Sequence, residues 1–110
     1  MGEIDNWRPM WMMVMFDLPT KEPEQKSAYR KFQNFLLNEG FSMVQYSVYS
    51  RHCHSRQIAK SKAARIRRAL PSLGQIRILR ITETQFSRME IFENCAKKSN
   101  EKAPMTLEFW

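Results

Sequence analysis

The chain has 110 residues, 43% of them apolar, and carries 18 Lys and Arg against 11 Asp and Glu, giving a net charge of +7 and a pI of about 9.8. That length suits one domain with a small core, and the apolar fraction excludes general disorder. No run of about 18 apolar residues is present, so no membrane-spanning helix is expected. The N-terminal stretch MGEIDNWRP starts acidic and predicts no secretion signal, and Asn6 stands where a myristoylation motif wants Ser or Thr. Two cysteines, Cys53 and Cys95, are too few for a disulfide framework, and a reducing cytoplasm is the expected compartment.

Met10 to Phe16 (MWMMVMF) is an unbroken apolar run, too short for a typical helix, and predicts a strand buried on both faces. Asp17-Leu18-Pro19-Thr20 ends it, because Pro19 cannot extend a ladder. Lys21 to Glu39 predicts a helix, with Pro23 in its first turn and Glu22 or Thr20 near the cap. Ala28, Phe32, Phe35 and Leu36 form its apolar stripe, and Gly40 closes it. Phe41 to Arg51 predicts one or two short strands with a break near Gln45-Tyr46.

Ser55 is placed to cap a second helix reaching about Leu70, with Ala59, Ala63, Ile66 and Leu70 on one arc. Pro71-Ser72-Leu73-Gly74 stops it, and Gln75 to Thr82 (QIRILRIT) predicts another strand. Thr84 to Glu93 spaces Phe86, Met89 and Phe92 by three, which suits a short helix. Residues 90–104 then read mostly as loop, and 105–110 (MTLEFW) as a terminal strand with Leu107 and Phe109 on one face. This order predicts a single α+β domain, a ferredoxin-like β-α-β-β-α-β sandwich with its core over about 10–89 and an extra C-terminal strand. The doubly apolar first strand needs cover on its second face, which a second copy of the chain, a homodimer, would supply.

Charge is distributed unevenly. From Gly40 to Thr82 there is no acid, but nine bases: Arg51, Arg56, Lys60, Lys62, Arg65, Arg67, Arg68, Arg77 and Arg80. The whole positive excess lies in this segment. A one-signed field suits nucleic acid, with lipid headgroups a weaker fit. Arg51, Arg56, Lys60, Arg67, Arg77 and Arg80 are the residues expected to track a phosphate backbone.

Asp17, read alone, is commonly an Asx-type turn residue before a proline. Its functional reading is a Mg²⁺ ligand. One carboxylate rarely holds that ion, but a two-fold dimer brings Asp17 of both chains to one axis. An ion held there would activate water for phosphodiester hydrolysis. His52-Cys53-His54 alternates along an extended segment, with His52 and His54 facing one way and Cys53 the other, so the three cannot converge, and a polar linker from strand to helix is expected instead of a metal site. The methionines of the first strand read as core filler. Tyr46 and Tyr49 read as sheet packing, with Tyr49 the one placed to reach a shared interface, and no RNP-like motif surrounds them for base stacking.

FDLPT (Phe16 to Thr20), AYRKFQNFLLNEGF (Ala28 to Phe41), QYSVYSR (Gln45 to Arg51) and ILRITETQFSRM (Ile78 to Met89) together resemble the small CRISPR-associated endonuclease family, Cas-two, the lesser partner of the spacer-acquisition integrase. FDLPT and TETQF resemble its type II members. The resemblance implies a prokaryotic ferredoxin-like homodimer with the first strands near each other. It implies Asp17 as the Mg²⁺ ligand shared across the dimer and needed for cutting RNA or DNA. Phe16, Ser47 and Tyr49 match residues of the family near that interface, and Leu107 and Phe109 lie in a tail that relatives pack on a neighbouring subunit. The implied partners are a second copy, the Cas integrase, and double-stranded prespacer DNA or RNA. Where relatives carry several arginines soon after the aspartate, this chain has no arginine before Arg30, only Lys21 and Lys26. Two rival readings stand beside the nuclease: a non-catalytic DNA-bridging scaffold, and an unrelated basic RNA-binding module of the same fold.

Overall fold

Met10–Asp17 forms the strand β1 at the interior of a sheet, where its neighbours on both sides satisfy its backbone groups. A computed structural model of the chain describes residues 7–94. The expected terminal strand with Leu107 and Phe109, most of the preceding loop and Cys95 lie outside the described residues. After β1 come α1 (Pro23–Asn38), β2 (Ser42–Gln45), β3 (Val48–Cys53), α2 (Arg56–Arg68), β4 (Gln75–Thr82) and α3 (Glu83–Ser87). The sheet order is β2-β3-β1-β4, and β1 pairs antiparallel with both β3 and β4. This is the ferredoxin-like α+β arrangement that the sequence predicts.

The register sorts the side chains. Met10, Met12, Val14 and Phe16 face the helices and are buried, while Trp11, Met13 and Met15 face the other way and are half-buried. Tyr49 and Cys53 of β3 join the helix-side core, beside Phe32 and Leu36 of α1 and Ala59, Ala63 and Ile66 of α2. Burying the larger of these side chains stabilises the fold by about 1.5–3 kcal/mol each.

The second face of β1 finds part of its cover within the chain itself. Phe86 of α3 stacks on Trp11 with ring centroids 3.9 Å apart and planes 5° apart. That helix is held at its start by a reciprocal cap: Gln85 N donates to Thr82 Oγ1 at 3.1 Å, and Thr82 N donates to Gln85 Oε1 at 2.9 Å. It stops at Ser87, earlier than the spacing of Phe86, Met89 and Phe92 predicts. Phe92 is left exposed, so no buried stripe draws those residues into a longer helix.

Other boundaries shift for equally local reasons. Gln25 Oε1 accepts from Glu22 N at 3.0 Å, which starts α1 at Pro23 rather than Lys21. Ala28 is exposed, so the stripe of α1 narrows to Phe32, Phe35 and Leu36. Ser55 Oγ accepts from Ile58 N at 3.2 Å and opens α2 as expected. The helix ends at Arg68, so Leu70 leaves the apolar arc and is exposed. β3 runs on to Cys53, which places His52 and Cys53 in the ladder rather than in a linker.

Glu39 ties the two long helices together. Its carboxylate accepts from Arg65 Nε at 2.9 Å and Nη2 at 2.7 Å, and from Lys62 Nζ at 2.9 Å. Its backbone oxygen accepts from Arg51 Nε at 2.9 Å. These hydrogen bonds, from Arg65 first and then Lys62, pull the Glu39 carboxyl from its ordinary 4.5 down to about 2. A depressed acid stabilises the fold above its unfolded pKa and loses that contribution as pH falls through the folded one. Glu39→Gln is therefore expected to melt below wild type at neutral pH, with the gap closing between pH 4.5 and about 2. Thermal melts across that range check it, and a gap unchanged down to pH 2 would show that the charge is not the cause.

Candidate nuclease site and basic cleft

Asp17 ends β1 opposite Gln75 of β4. The pleat puts its carboxylate on the face turned away from the helices, in line with Met13 and Met15. It is exposed, and among the described residues it makes no ion pair and no side-chain hydrogen bond. It opens onto a shallow depression of about 190 Å³ whose lining includes Met15, Tyr46, Ser47, Val48, Gln75 and Arg77. Arg77 lies one pleat further along β4 on the same face, and its Nη2 donates to Gln75 Oε1 at 3.3 Å. The arginine missing after Asp17 in sequence is thus supplied from β4 in space.

The chain behind Asp17 is held closely. Gly74 has φ +95, and a Cβ there would meet Asp17 O at 2.7 Å and Leu18 Cδ2 at 2.6 Å. Gly74→Ala is expected to lower stability by about 2 kcal/mol and to shift the Asp17 backbone, since both the dihedral and the space are denied. Urea midpoints measure the first effect. An unchanged midpoint would show that the turn relaxes freely.

One chain brings a single carboxylate here. Among the described residues no group of three His, Cys, Asp or Glu side chains is placed to hold a metal ion. The donor chemistry of Asp17 suits a hard cation such as Mg²⁺, but only as one member of a set. Cys53 parts from His52 and His54 as expected, and the two imidazole rings lie edge to face 5.5 Å apart. Cys53 is buried on the helix face, and His52 lies on the opposite face with Nε2 3.4 Å from Glu83 Oε1.

Residues matched to the interface are placed differently from one another. Phe16 and Tyr49 point into the protomer core, with rings 5.7 Å apart and Tyr49 only 1% exposed. Gln33 Nε2 donates to Tyr49 Oη at 2.6 Å. Tyr49 therefore does not reach outward, because its ring fills the space under α1. Ser47 stands at the surface beside Asp17, with Oγ 2.7 Å from Tyr29 Oη. Burial raises the Tyr29 phenol above its ordinary value, so it stays protonated. Tyr46 is 75% exposed in the turn between β2 and β3, not packed on the sheet as its sequence suggests.

The six basic residues do not form one track. Arg56, Lys60 and Arg67 of α2 and Arg80 of β4 line a cleft of about 550 Å³ on the helix side, near Met10. None of the four has a carboxylate partner among the described residues. Arg77 is on the opposite face beside Asp17, because a spacing of three along a strand reverses the side chain. Arg51 is taken up inside the fold, donating to Glu39 O and, from Nη1, to His52 O at 3.0 Å. Met10 and Asp17 are separated by about 23 Å of extended strand, so cleft and carboxylate differ in both face and end.

A ferredoxin-like sheet with a strand-end carboxylate, an arginine beside it and a separate cationic cleft makes a small basic protein whose surface suits a polyanion. Residues 10–89 match the family model described as CRISPR associated protein Cas2. The chain belongs to this family. It is 40% identical over 101 residues to the CRISPR-associated endoribonuclease Cas2 of Parvibaculum lavamentivorans, covering 92% of this chain and 100% of that one. It is 37% identical over 107 residues to that of Flavobacterium psychrophilum, covering 97% and 93%. Over 80 residues it is 46% identical to that of Streptococcus mutans, covering 73% of each. The reading as an RNA-binding module unrelated to this family is set aside by these matches.

Proposed function

We propose that the chain is an endoribonuclease whose phosphodiesterase site is built on Asp17 and completed by Asp17 of a second copy around a shared Mg²⁺. The observation that carries this is the placement of Asp17: an exposed carboxylate with no partner of its own among the described residues, at the end of a half-buried apolar strand face. Pairing such faces across a two-fold axis covers apolar surface and brings the second carboxylate close. Relatives that align with most of this chain are named endoribonucleases.

Asp17 of each chain would hold the divalent ion, which when bound would supply a polarised phosphoryl oxygen and a water of lowered pKa. Arg77 faces the same depression and pairs with the non-bridging oxygens of the scissile phosphate. Gln75, hydrogen-bonded to Arg77, orients the guanidinium.

The test is stoichiometry. Calorimetric titration with Mn²⁺ should saturate at one ion per two wild-type chains and show no binding for Asp17→Asn. One ion per chain, or a protein that cuts RNA while sedimenting as a monomer, would sink the shared site.

A second reading rests on the cationic cleft. Four bases on the helix side, without carboxylate partners among the described residues, suit a duplex backbone rather than a cut strand. There the chain would hold prespacer DNA as a bridge for the Cas integrase in spacer acquisition. The two readings use different surfaces and are compatible.

A further inference from the structure

The turn between β2 and β3 is built in an unusual way. Gln45 pairs with Val48, which leaves only Tyr46 and Ser47 to reverse the chain. Such turns favour Gly, Asn or Asp, and a positive φ at the second position alone is the type II pattern that wants glycine there. Here Ser47 stands at φ +63. A strained non-glycine turn persists only when its surroundings hold it. Ser47 O accepts from Phe16 N at 3.0 Å, and Ser47 Oγ pairs with Tyr29 Oη at 2.7 Å. The first pins the turn to the end of β1, where Asp17 follows Phe16, and the second ties it to α1.

What this turn presents is the Tyr46 ring. It lies on the Tyr29 ring, centroids 5.9 Å apart and planes 17° apart, yet it is 75% exposed. An aromatic gains little at a hairpin tip in water, and nothing in turn geometry asks for one. Tyr46 is among the residues that line the depression shared by Asp17 and Arg77. A carboxylate able to hold a cation, a guanidinium able to hold a phosphate, and a flat free π-face thus meet at one surface.

We propose that Tyr46 stacks an unpaired nucleobase beside the phosphate presented to Asp17, so that this surface selects single-stranded over duplex nucleic acid. The inference rests on reading Asp17 as a phosphodiester site and deepens it. In a duplex every base face is already covered by its neighbours, so the ring has nothing to receive. A single strand offers a face, and stacking on an aromatic is tolerant of base identity. The Tyr29 ring beneath holds Tyr46 on its other side, so the stack costs little ordering of the protein.

Binding, not cutting, is the direct test. Fluorescence anisotropy with labelled single-stranded oligoadenylate, as RNA and as DNA, and with a blunt DNA duplex is run without divalent cation. Tyr46→Ala should weaken single-strand binding by about tenfold on both sugars and leave duplex binding unchanged. Tyr46→Phe and Tyr46→Trp should bind as wild type does. Equal single-strand affinity in Tyr46→Ala would overturn the proposal. So would a matching loss on duplex, a loss on one sugar only, or a Tyr46→Phe variant as weak as Tyr46→Ala. If wild type shows the stacking-dependent binding but never cuts with Mg²⁺ or Mn²⁺, the nuclease reading fails while the single-strand site stands.

Discussion

Asp17→Asn is expected to reduce RNA cleavage by at least about 100-fold while leaving the melting temperature unchanged. The size follows from position. Substituting groups that merely support a metal ligand commonly costs about 10–100-fold in metal affinity or activity, and at the proposed shared site the substitution would remove the ligand itself from both chains. Stability should hold because the carboxylate is exposed and engages no other described side chain. The substitution keeps the shape of the residue and removes its charge, so the backbone turn into Leu18 and Pro19 is preserved. Cleavage of single-stranded RNA at matched Mg²⁺ and purity measures the effect. A variant as active as wild type would show that any cutting arises elsewhere. Arg77→Ala should act in the same direction but more weakly, since under the proposed mechanism it would remove a phosphate partner and leave the ion's ligands in place.

The second large effect belongs to the cleft between α2 and β4. Reversing three charges together, Arg56→Glu, Lys60→Glu and Arg80→Glu, should lower affinity for duplex DNA by an order of 100-fold or more at low salt. The dependence of log affinity on log salt should also flatten by about 0.9 for each phosphate that is no longer neutralised. Exposed side chains at helix and strand surfaces carry these charges, so the fold should survive. The informative comparison is with Arg77→Glu, which lies on the other face of the sheet. If the cleft variant and Arg77→Glu weaken duplex binding equally, the division of the protein into two surfaces is wrong. If the cleft variant abolishes spacer acquisition while Asp17→Asn does not, the bridging role outweighs cutting in the cell.

The element order was legible because the signals were strong and local. MWMMVMF is apolar throughout and flanked by a proline, and it became the interior strand. Ser55 caps α2 and Gly40 follows α1 because capping is decided within one turn of the helix. Boundaries moved by a few residues, as at Leu70 and at the short α3, where the last apolar residues of a spacing stay exposed and draw no further helical turn. The basic segment was equally plain as a count but not as a surface. Its residues divide three ways: into the cleft, beside Asp17, and, for Arg51, into the fold's own hydrogen bonds. Strand alternation alone would have separated Arg77 from Arg80, since odd spacing reverses the face. No sequence signal marked Arg51 for an internal role, because its acceptors belong to Glu39 and to its own strand.

The sequence by itself determined the fold class, the family resemblance and Asp17 as the residue to watch, because periodicity, capping and motif order are written along the chain. Only the tertiary structure decided what stands around Asp17. Arg77 arrives there from β4, 60 positions away, through an antiparallel register that opposes Asp17 to Gln75. Tyr46 arrives through a two-residue turn pinned to Phe16 and Tyr29. It also decided that Tyr49 belongs to the core and Tyr46 to the surface, although the two differ by three positions and share a chemistry. Composition treats such tyrosines alike. Strand register and turn geometry, which depend on partners distant in sequence, send one ring under a helix and leave the other in water.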